Sequence, residues 1–434
     1  MIRLVRVRLL VCVLVSVMPI GGGAFAQSAD NLRRIVTFQN LDLTTTLGYL
    51  TAVSVVTVNG IKVVPPKLEF INALVIQLPA AGISLPASLY ILDVSLDPLG
   101  WVDPITPCLA PPVEGYGWGL ERIEAPAAHH HWPPVVTGAG VRVAILDTGI
   151  DSDHPDLSPY VDIESGYNAL PAGGPPQDNN GHGTHMAGII GALLNGQGIK
   201  GGGPPHPRAI LVPVKVLDQN GFGYLSYFLD GMQFVYRTDD IRLVNMSFGF
   251  DDYPALKKAT QRLYERGVIM VAAAGCKPGK HDEGGGAEGG CDTATVYDPT
   301  QIHGVYPAGY DWTIAVGAID YDNQVADYSG SGPWLDVVAS GGSLKTGIRI
   351  LSTTPGGGYG CASGTSQAAA AVSATCALAL QLKQKLSFEQ VRSVLQTTAT
   401  KLIDPSTGKA YPPERQGAGL INADKVDDAV KALK

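Results

Sequence analysis

The run Gly364-Thr365-Ser366-Gln367-Ala368 places a serine at the head of an apolar, alanine-rich stretch. A free serine hydroxyl is a poor nucleophile near neutral pH and needs a base within hydrogen-bond reach. Two earlier segments supply the missing groups. Val143-Ala144-Ile145-Leu146-Asp147-Thr148-Gly149-Ile150 ends an apolar run on a carboxylate. Gly181-His182-Gly183-Thr184-His185-Met186-Ala187-Gly188 offers an imidazole. An acid, a base and a nucleophile thus occur in the order Asp147, His182, Ser366, a set suited to acyl transfer. Ser366 would attack a carbonyl, His182 would carry the proton, and Asp147 would orient and stabilise the imidazolium.

The elements around these residues alternate between strand and helix from about residue 114 onward. Val141–Leu146, Ile210–Leu217, Leu243–Met246, Val268–Ala274, Thr313–Ile319 and Leu335–Ala339 read as strands. Residues 182–194, 224–237, 253–266, 366–383 and 387–398 read as helices. That alternation predicts an α/β fold with a mostly parallel sheet covered by helices on both faces. Sites in such sheets lie at the carboxyl ends of the strands, where Asp147 falls. Ser366 falls at a helix start, where backbone N–H groups are free to face an anion.

Residues 28–110 differ in character. Arg34–Phe38, Val55–Val64, Glu69–Leu78 and Tyr90–Ser95 read as strands, with helices at 41–53 and 85–89. This order suits a small α+β sandwich. The Pro-rich stretch 104–113 reads as a linker. At the start of the chain, Arg3, Arg6 and Arg8 precede an apolar stretch from Leu9 to Ile20, too short to span a bilayer comfortably. Ala24-Phe25-Ala26 follows as a small-x-small cleavage site, so residues 1–26 read as a secretory signal. No later segment reaches membrane-spanning length. The expected mature protein is soluble and secreted or periplasmic.

The chain has 434 residues, 45% hydrophobic and 16% charged, enough for a large core and more than one domain. Its net charge of −8 argues against general nucleic-acid binding, which needs a basic surface. Six cysteines are present, and Cys12 lies in the expected signal. An oxidising compartment permits disulfides. Cys276 and Cys291 flank the Gly-rich insert 277–290, so a bridge closing that loop is one option, with Cys108 and Cys361 as further candidates. Pairing is not fixed by sequence. Cys376 sits in an apolar helix and reads as a small buried hydrophobe.

Together these segments resemble the subtilisin-like serine proteases (subtilases). Asp147-Thr148-Gly149-Ile150-Asp151, continuing into His154-Pro155-Asp156-Leu157, resembles the aspartate motif. Gly181-His182-Gly183-Thr184-His185 resembles the histidine motif, and Gly364-Thr365-Ser366 the serine motif. Asn245-Met246-Ser247-Phe248-Gly249 resembles the cleft strand, and Gly417-Ala418-Gly419-Leu420-Ile421-Asn422 the last segment. The resemblance covers roughly 115–427. It implies a secreted serine endopeptidase working through an acyl-enzyme, with peptides or proteins as substrate, no required cofactor, and a monomeric state. Residues 115–434 would be the peptidase domain. Residues 28–110 resemble the family's inhibitory prodomain in pattern and position, which implies a precursor that processes itself between Cys108 and Tyr116. Gly221, Phe222 and Gly223 resemble the edge segment that pairs with substrate backbone. Ser247, Phe248 and Gly249 lie opposite, Ala274 and Gly275 form a pocket wall, and Leu225 touches an upstream substrate residue. Asp156 and the Asn195 loop resemble a calcium site in shortened form; a plain Gly-rich turn is the alternative. His185 reads as a packed helix histidine.

Two departures stand out. The family's Val-Ala-Ala-Ala-Gly strand is normally followed by an asparagine whose amide donates to the oxyanion. Here Val271-Ala272-Ala273-Ala274-Gly275 is followed by Cys276, and sulfur is a weak donor at best. Losing this donor in subtilisin costs about 10²–10³ in turnover. The sequence therefore predicts a slower protease or a substitute donor from the insert after Cys276, such as Lys277 or His281, with a subtilase-fold protein that holds peptides without cutting them efficiently as the rival. The second departure is Gln367-Ala368-Ala369-Ala370 after the serine, where the family usually reads Met-Ala-Ser-Pro.

Overall fold

The computed structural model describes residues 33–433, apart from 40, 46–48, 50–51, 54–55, 57–60, 79–90, 103–104, 109–113, 133–139, 159, 197, 206–207 and 276–304. The expected signal, the helix expected at 85–89, part of that expected at 41–53, and Cys276 with its insert lie outside the described residues. The chain divides into two compact units at Pro98/Leu99.

The first unit holds β1 (Arg33–Phe38), β2 (Lys62–Leu68), β3 (Ala73–Gln77) and β4 (Ile91–Leu96), an antiparallel sheet in the order β2-β3-β1-β4. Val36, Phe38, Leu74 and Ile76 pack with Leu43, Val56 and Leu78 into its core. Asn72 makes the turn into β3 in the left-handed region (φ 60°), and its amide donates to Phe38 O at 3.0 Å.

The second unit opens with β5 (Leu99–Trp101) and β6 (Thr106–Cys108), and two short helices follow, α1 (Gly117–Arg122) and α2 (Ala125–His130). Its main sheet uses β7 (Arg142–Asp147), β8 (Tyr167–Asn168), β9 (Ile210–Lys215), β11 (Ile241–Met246), β12 (Ile269–Ala273), β13 (Ile314–Ile319) and β14 (Val337–Ser340). The order is β14-β13-β12-β11-β7-β9-β8, every pair parallel. The helices are α3 (His182–Gly191), α4 (Leu225–Arg237), α5 (Pro254–Glu265), α6 (Thr365–Leu382), α7 (Phe388–Thr398), α8 (Pro413–Gln416) and α9 (Ala423–Ala432). The expected α/β architecture with a parallel sheet is what forms. The central strands are continuous apolar runs because helices cover them, so alternation gives way to burial on both sides. Helix α6 runs against β11 to β14 and is buried almost throughout. Its alanines let the helix approach the sheet closely, and its lack of a polar face follows from that burial.

Two small sheets flank this body. β10 (Phe222–Tyr224) pairs antiparallel with β5. β15 (Ile350–Thr354), β16 (Gly358–Ala362) and β6 make a three-stranded antiparallel sheet. The linker expected at 104–113 is thus corrected in part: Thr106–Cys108 is a strand, because β16 offers it an edge. A disulfide joins Cys108 to Cys361 within this sheet, and Cys376 is a buried free thiol in α6.

Asp336 ties the edge of the main sheet to the last third of the chain. Its carboxylate accepts from Ala315 N–H (2.9 Å), Arg392 Nε (2.6 Å) and Gln396 Nε2 (2.8 Å), and its carbonyl accepts from Ala418 N–H (2.7 Å). Burial pushes this acid up, and the three donors oppose the shift. Removing the carboxylate strands buried donors, which typically costs a few kcal/mol. Asp336→Ala is expected to lower unfolding free energy by about 3 kcal/mol and Asp336→Asn by less than half of that, read from urea midpoints at constant slope. A change within about 0.5 kcal/mol for Asp336→Ala would contradict this role.

Candidate active site

Asp147 is the last residue of β7, at the carboxyl end of the sheet, and has no exposed surface. The chain turns sharply behind it. Gly149 has φ +104°, and a Cβ there would lie 2.5 Å from Pro176 O, so only glycine fits. Thr148 N–H donates to Asp147 Oδ1 at 2.7 Å. Beneath, the buried Lys215 ammonium donates to Thr148 O and to Asn179 Oδ1. Burial lowers the Lys215 pKa, and the Asp178 and Asp147 carboxylates oppose that shift.

His182 is the first residue of α3. Its Nδ1 lies 2.9 Å from both Asp147 oxygens. A carboxylate only accepts, so Nδ1 carries the hydrogen and Nε2 is left as the basic nitrogen. The helix start is fixed by Asp178, which accepts from Gly181 N–H (3.0 Å), Thr184 N–H (2.9 Å) and Thr184 Oγ1 (2.6 Å). An acid at a helix N-terminus is favoured by the helix dipole. Gly183 allows the approach of α3 to β7: a Cβ there would sit 2.1 Å from Gly149 O and 3.1 Å from Asp147 Cβ.

Ser366 is the second residue of α6. Its Oγ donates to Ser247 O at 3.2 Å, and Ser247 Oγ donates back to Ser366 O at 3.1 Å. Ser247 Oγ also accepts from Asn245 Nδ2 (2.9 Å) and lies 3.4 Å from Met186 Sδ, one turn along α3 from His182. Asn245 Oδ1 in turn accepts from Ser373 Oγ of α6 at 2.9 Å. The end of β11 thus pins the serine helix and the histidine helix to one point. The three residues singled out by sequence all lie where parallel strands end and helices begin.

The remaining cleft residues fall as follows. Gly221, Phe222 and Gly223 form the β10 edge. Phe248 is buried beside Phe228, with ring centroids 4.3 Å apart, and Gly249 follows it. Leu225 is wholly buried at the start of α4, so it packs in the core. Ala274 is buried, and Gly275 O accepts from Gly330 N–H at 2.9 Å and from Thr365 Oγ1 at 3.4 Å. Cys276, which the family resemblance leads one to expect at the oxyanion position, is outside the described residues. His185 is buried, with Nε2 donating to Gly360 O at 3.1 Å, a packed helix histidine.

Asp156 and Asn195 do lie together, but the set does not fit calcium. Asp156 Oδ1 accepts from Asn195 Nδ2 (3.2 Å), and Oδ2 accepts from Ile199 N–H (3.0 Å) and Tyr359 O–H (2.8 Å). Burial and the Asp156 carboxylate raise the Tyr359 hydroxyl, which keeps it a donor. A hard cation needs converging oxygen acceptors, and here the neighbours are donors. Among the described residues, no group of three or more His, Cys, Asp or Glu side chains could hold a metal.

Sequence reasoning missed the segment 99–108. β5 lies antiparallel on β10 with Phe222 opposite Trp101, Gly223 opposite Gly100 and Tyr224 opposite Leu99. Val102 N–H then donates to Gly221 O at 3.0 Å. A Cβ on Gly221 would touch Val102 and Asn180, and one on Gly181 would lie 4.0 Å from Ile105. Val102 and Ile105 therefore both lie close to residues that precede His182, Val102 to Asn180 across Gly221 and Ile105 to Gly181. Beyond it, β6 continues along β16, which ends four residues before Ser366. Cys108 was the one residue in this Pro-rich stretch that signalled an anchored strand.

Comparison with known proteins gives a consistent result. A model of the subtilase family matches residues 138–419. The chain is 38% identical over 307 residues to subtilisin from Bacillus pumilus, covering 70% of this chain and 96% of that protein. It is 37% identical over 308 residues to subtilisin Savinase from Lederbergia lenta, covering 71% and 97%. With subtilisin E from Bacillus subtilis (strain 168) it shares 38% over 307 residues, covering 70% and 69%.

Two histidines, His185 fully buried and His129 partly buried, are expected to make the fold acid-sensitive. Burial lowers His185 to about 3, helped by the neighbouring His182, and burial lowers His129 to about 4. Both stay neutral in the fold, while the unfolded chain takes up protons below the ordinary histidine value of 6.5. Their stabilising contribution is complete above that value and is lost as pH falls through it toward 3 to 4. His185→Gln keeps a donor for Gly360 O but cannot take a proton. It is expected to flatten the fall in urea midpoint between pH 6.5 and pH 4. An unchanged slope would contradict the assignment.

Proposed function

This chain belongs to the subtilase family of serine-type endopeptidases, and from that premise we propose that Asp147, His182 and Ser366 form its catalytic triad. The observation that carries the reading is His182 Nδ1 held 2.9 Å from both oxygens of a fully buried Asp147, on a helix packed against α6, whose first turn holds Ser366. Ser366 Oγ attacks the substrate carbonyl as His182 Nε2 takes its proton. The tetrahedral intermediate collapses, the C–N bond breaks, and His182 returns the proton to the leaving amine. Water then adds to the acyl-enzyme, again deprotonated by His182, and releases the acid. The Ser366 N–H at the start of α6 remains as an oxyanion donor. With Cys276 in place of the usual asparagine, turnover is expected to be about 10²–10³ lower than with a full donor pair.

We further propose that the protein is exported as a precursor, with residues 1–26 as signal and the region from 28 as an intramolecular inhibitor. Support comes from Leu99–Trp101, which pairs antiparallel with β10 as an extended substrate would, and Thr106–Cys108, which pairs with β16. We put the cut between Val102, which bonds to Gly221, and Ile105, which lies by Gly181; a cut at 108–116, as the sequence suggests, is the alternative. The rival reading, a peptide-holding protein with little turnover, draws on Cys276.

Expression of the full chain is expected to yield a fragment whose first residue lies between 103 and 105, found by N-terminal sequencing, and Ser366→Ala is expected to stay whole. Equal processing of both, or none in either, would contradict the protease reading and leave the peptide-holding one. Gly183→Ala tests the geometry behind the triad. Its Cβ forces α3 away from Gly149 O, and displacement of a catalytic base by about 1 Å costs on the order of 10² in rate. kcat/KM is expected to fall at least that far with KM nearly unchanged. Full activity would show that the close approach is dispensable.

A further inference from the structure

The fit of Gly100 against Phe250 bears on which peptides this cleft accepts. Gly100 is buried in the middle of β5, opposite Gly223 of β10. A Cβ added there would lie 2.6 Å from Phe250 Cζ and 2.8 Å from Phe250 Cε1. Real Cβ atoms do not approach that closely, so something must move. The backbone does not itself call for glycine, since Gly100 is absent from the glycines with positive φ. The requirement is one of space.

Phe250 has little freedom to yield. It is 4% exposed and packs on Phe228 and Phe248, with ring centroids 4.9 Å and 5.9 Å away. Its backbone is held by a two-way bridge to Tyr306, N–H to O at 2.7 Å and the return at 2.9 Å. A ring fixed by main-chain bonds and two aromatic neighbours cannot swing aside without disturbing the Phe228 cluster. Neighbouring positions along the strand are roomier: Leu99 is 41% exposed.

Resting on the reading of residues 99–108 as a substrate-like occupant, we propose that Phe250 is a specificity-determining residue that closes the upstream part of the cleft. The enzyme would then select peptides with glycine at the position Gly100 occupies, the third to fifth residue before the cut. β10 supplies main-chain hydrogen bonds to any extended peptide, and Phe250 supplies the discrimination. Overpacking at a fixed contact corresponds to a factor of about 10 or more against larger residues.

Two arms test this. The first uses processed enzyme from the full chain and quenched peptides spanning residues 97–107 of its own sequence, with Gly, Ala or Leu at position 100. kcat/KM is expected to be at least about 10-fold higher for Gly than for Leu. In Phe250→Leu, which removes Cζ and both Cε atoms yet stays apolar, the ratio is expected to fall toward one. Equal cutting of the Gly and Leu peptides by the unaltered enzyme overturns the proposal. The second arm needs no catalysis. In full-length protein carrying Ser366→Ala, adding Gly100→Ala is expected to raise hydrogen exchange at Gly223 at least about 10-fold, and adding Phe250→Leu to restore protection. Alanine stiffens the unfolded chain relative to glycine, so a rise cannot come from that source. Unchanged exchange overturns the proposal. If no peptide is cut and a serine-reactive phosphonate does not label Ser366, the protease reading fails, while the exchange arm still decides the role of Phe250.

Discussion

The structure turns on a carboxylate with no exposed surface. An isolated buried charge is too costly to keep unless donors surround it. Asp147 meets them in Thr148 N–H and His182 Nδ1–H, with the Lys215 ammonium donating nearby to Thr148 O. Each requires its own piece of fold. The Thr148 amide needs the turn that Gly149 alone can make. The His182 ring needs α3 to start against the end of β7, which needs Gly183 bare of a side chain and Asp178 holding the first helical N–H groups. Residues remote in sequence are thus committed to one another by the need to satisfy a single acid.

The same economy of contact extends to the serine. Ser247 and Asn245, at the end of β11, bond to both ends of the first turns of α6 and touch α3 through Met186. Ser366 and His182 are therefore positioned from the sheet rather than from loops, the arrangement that would hold a proposed nucleophile and base in register most closely. Upstream, β10 pairs with β5 through its main chain, and the aromatic cluster of Phe228, Phe248 and Phe250 sets the space beside them. Backbone pairing gives grip, and side-chain volume gives choice.

Much of this was legible before any coordinates. The apolar run before Asp147 and the alanine-rich run after Ser366 carry the patterns of a buried strand and a buried helix, and β7 and α6 stand there. The parallel sheet followed from strict alternation of elements. What escaped was tertiary in origin. Residues 106–108 read as a Pro-rich linker, because nothing local says that β16 will offer an edge. Gly100 looked like any glycine, because its reason is a ring 150 positions away in the chain. Leu225 read as a cleft residue and is core, since the first turn of α4 points it inward. Asp156 and Asn195 read as cation ligands, yet Tyr359 and the Ile199 amide, invisible from their own segment, supply donors instead.

The claim at the centre is that Ser366 is activated by His182 held on Asp147. It is tested most directly by the rate at which a serine-reactive phosphonate modifies the protein as a function of pH, with the adduct located by mass spectrometry. The account predicts a single adduct on Ser366, formed faster as an imidazole loses its proton, near pH 6–7.5 for an ordinary histidine, and a fall of about 10³ or more in His182→Ala. An adduct elsewhere, or an equal rate in His182→Ala, would contradict it.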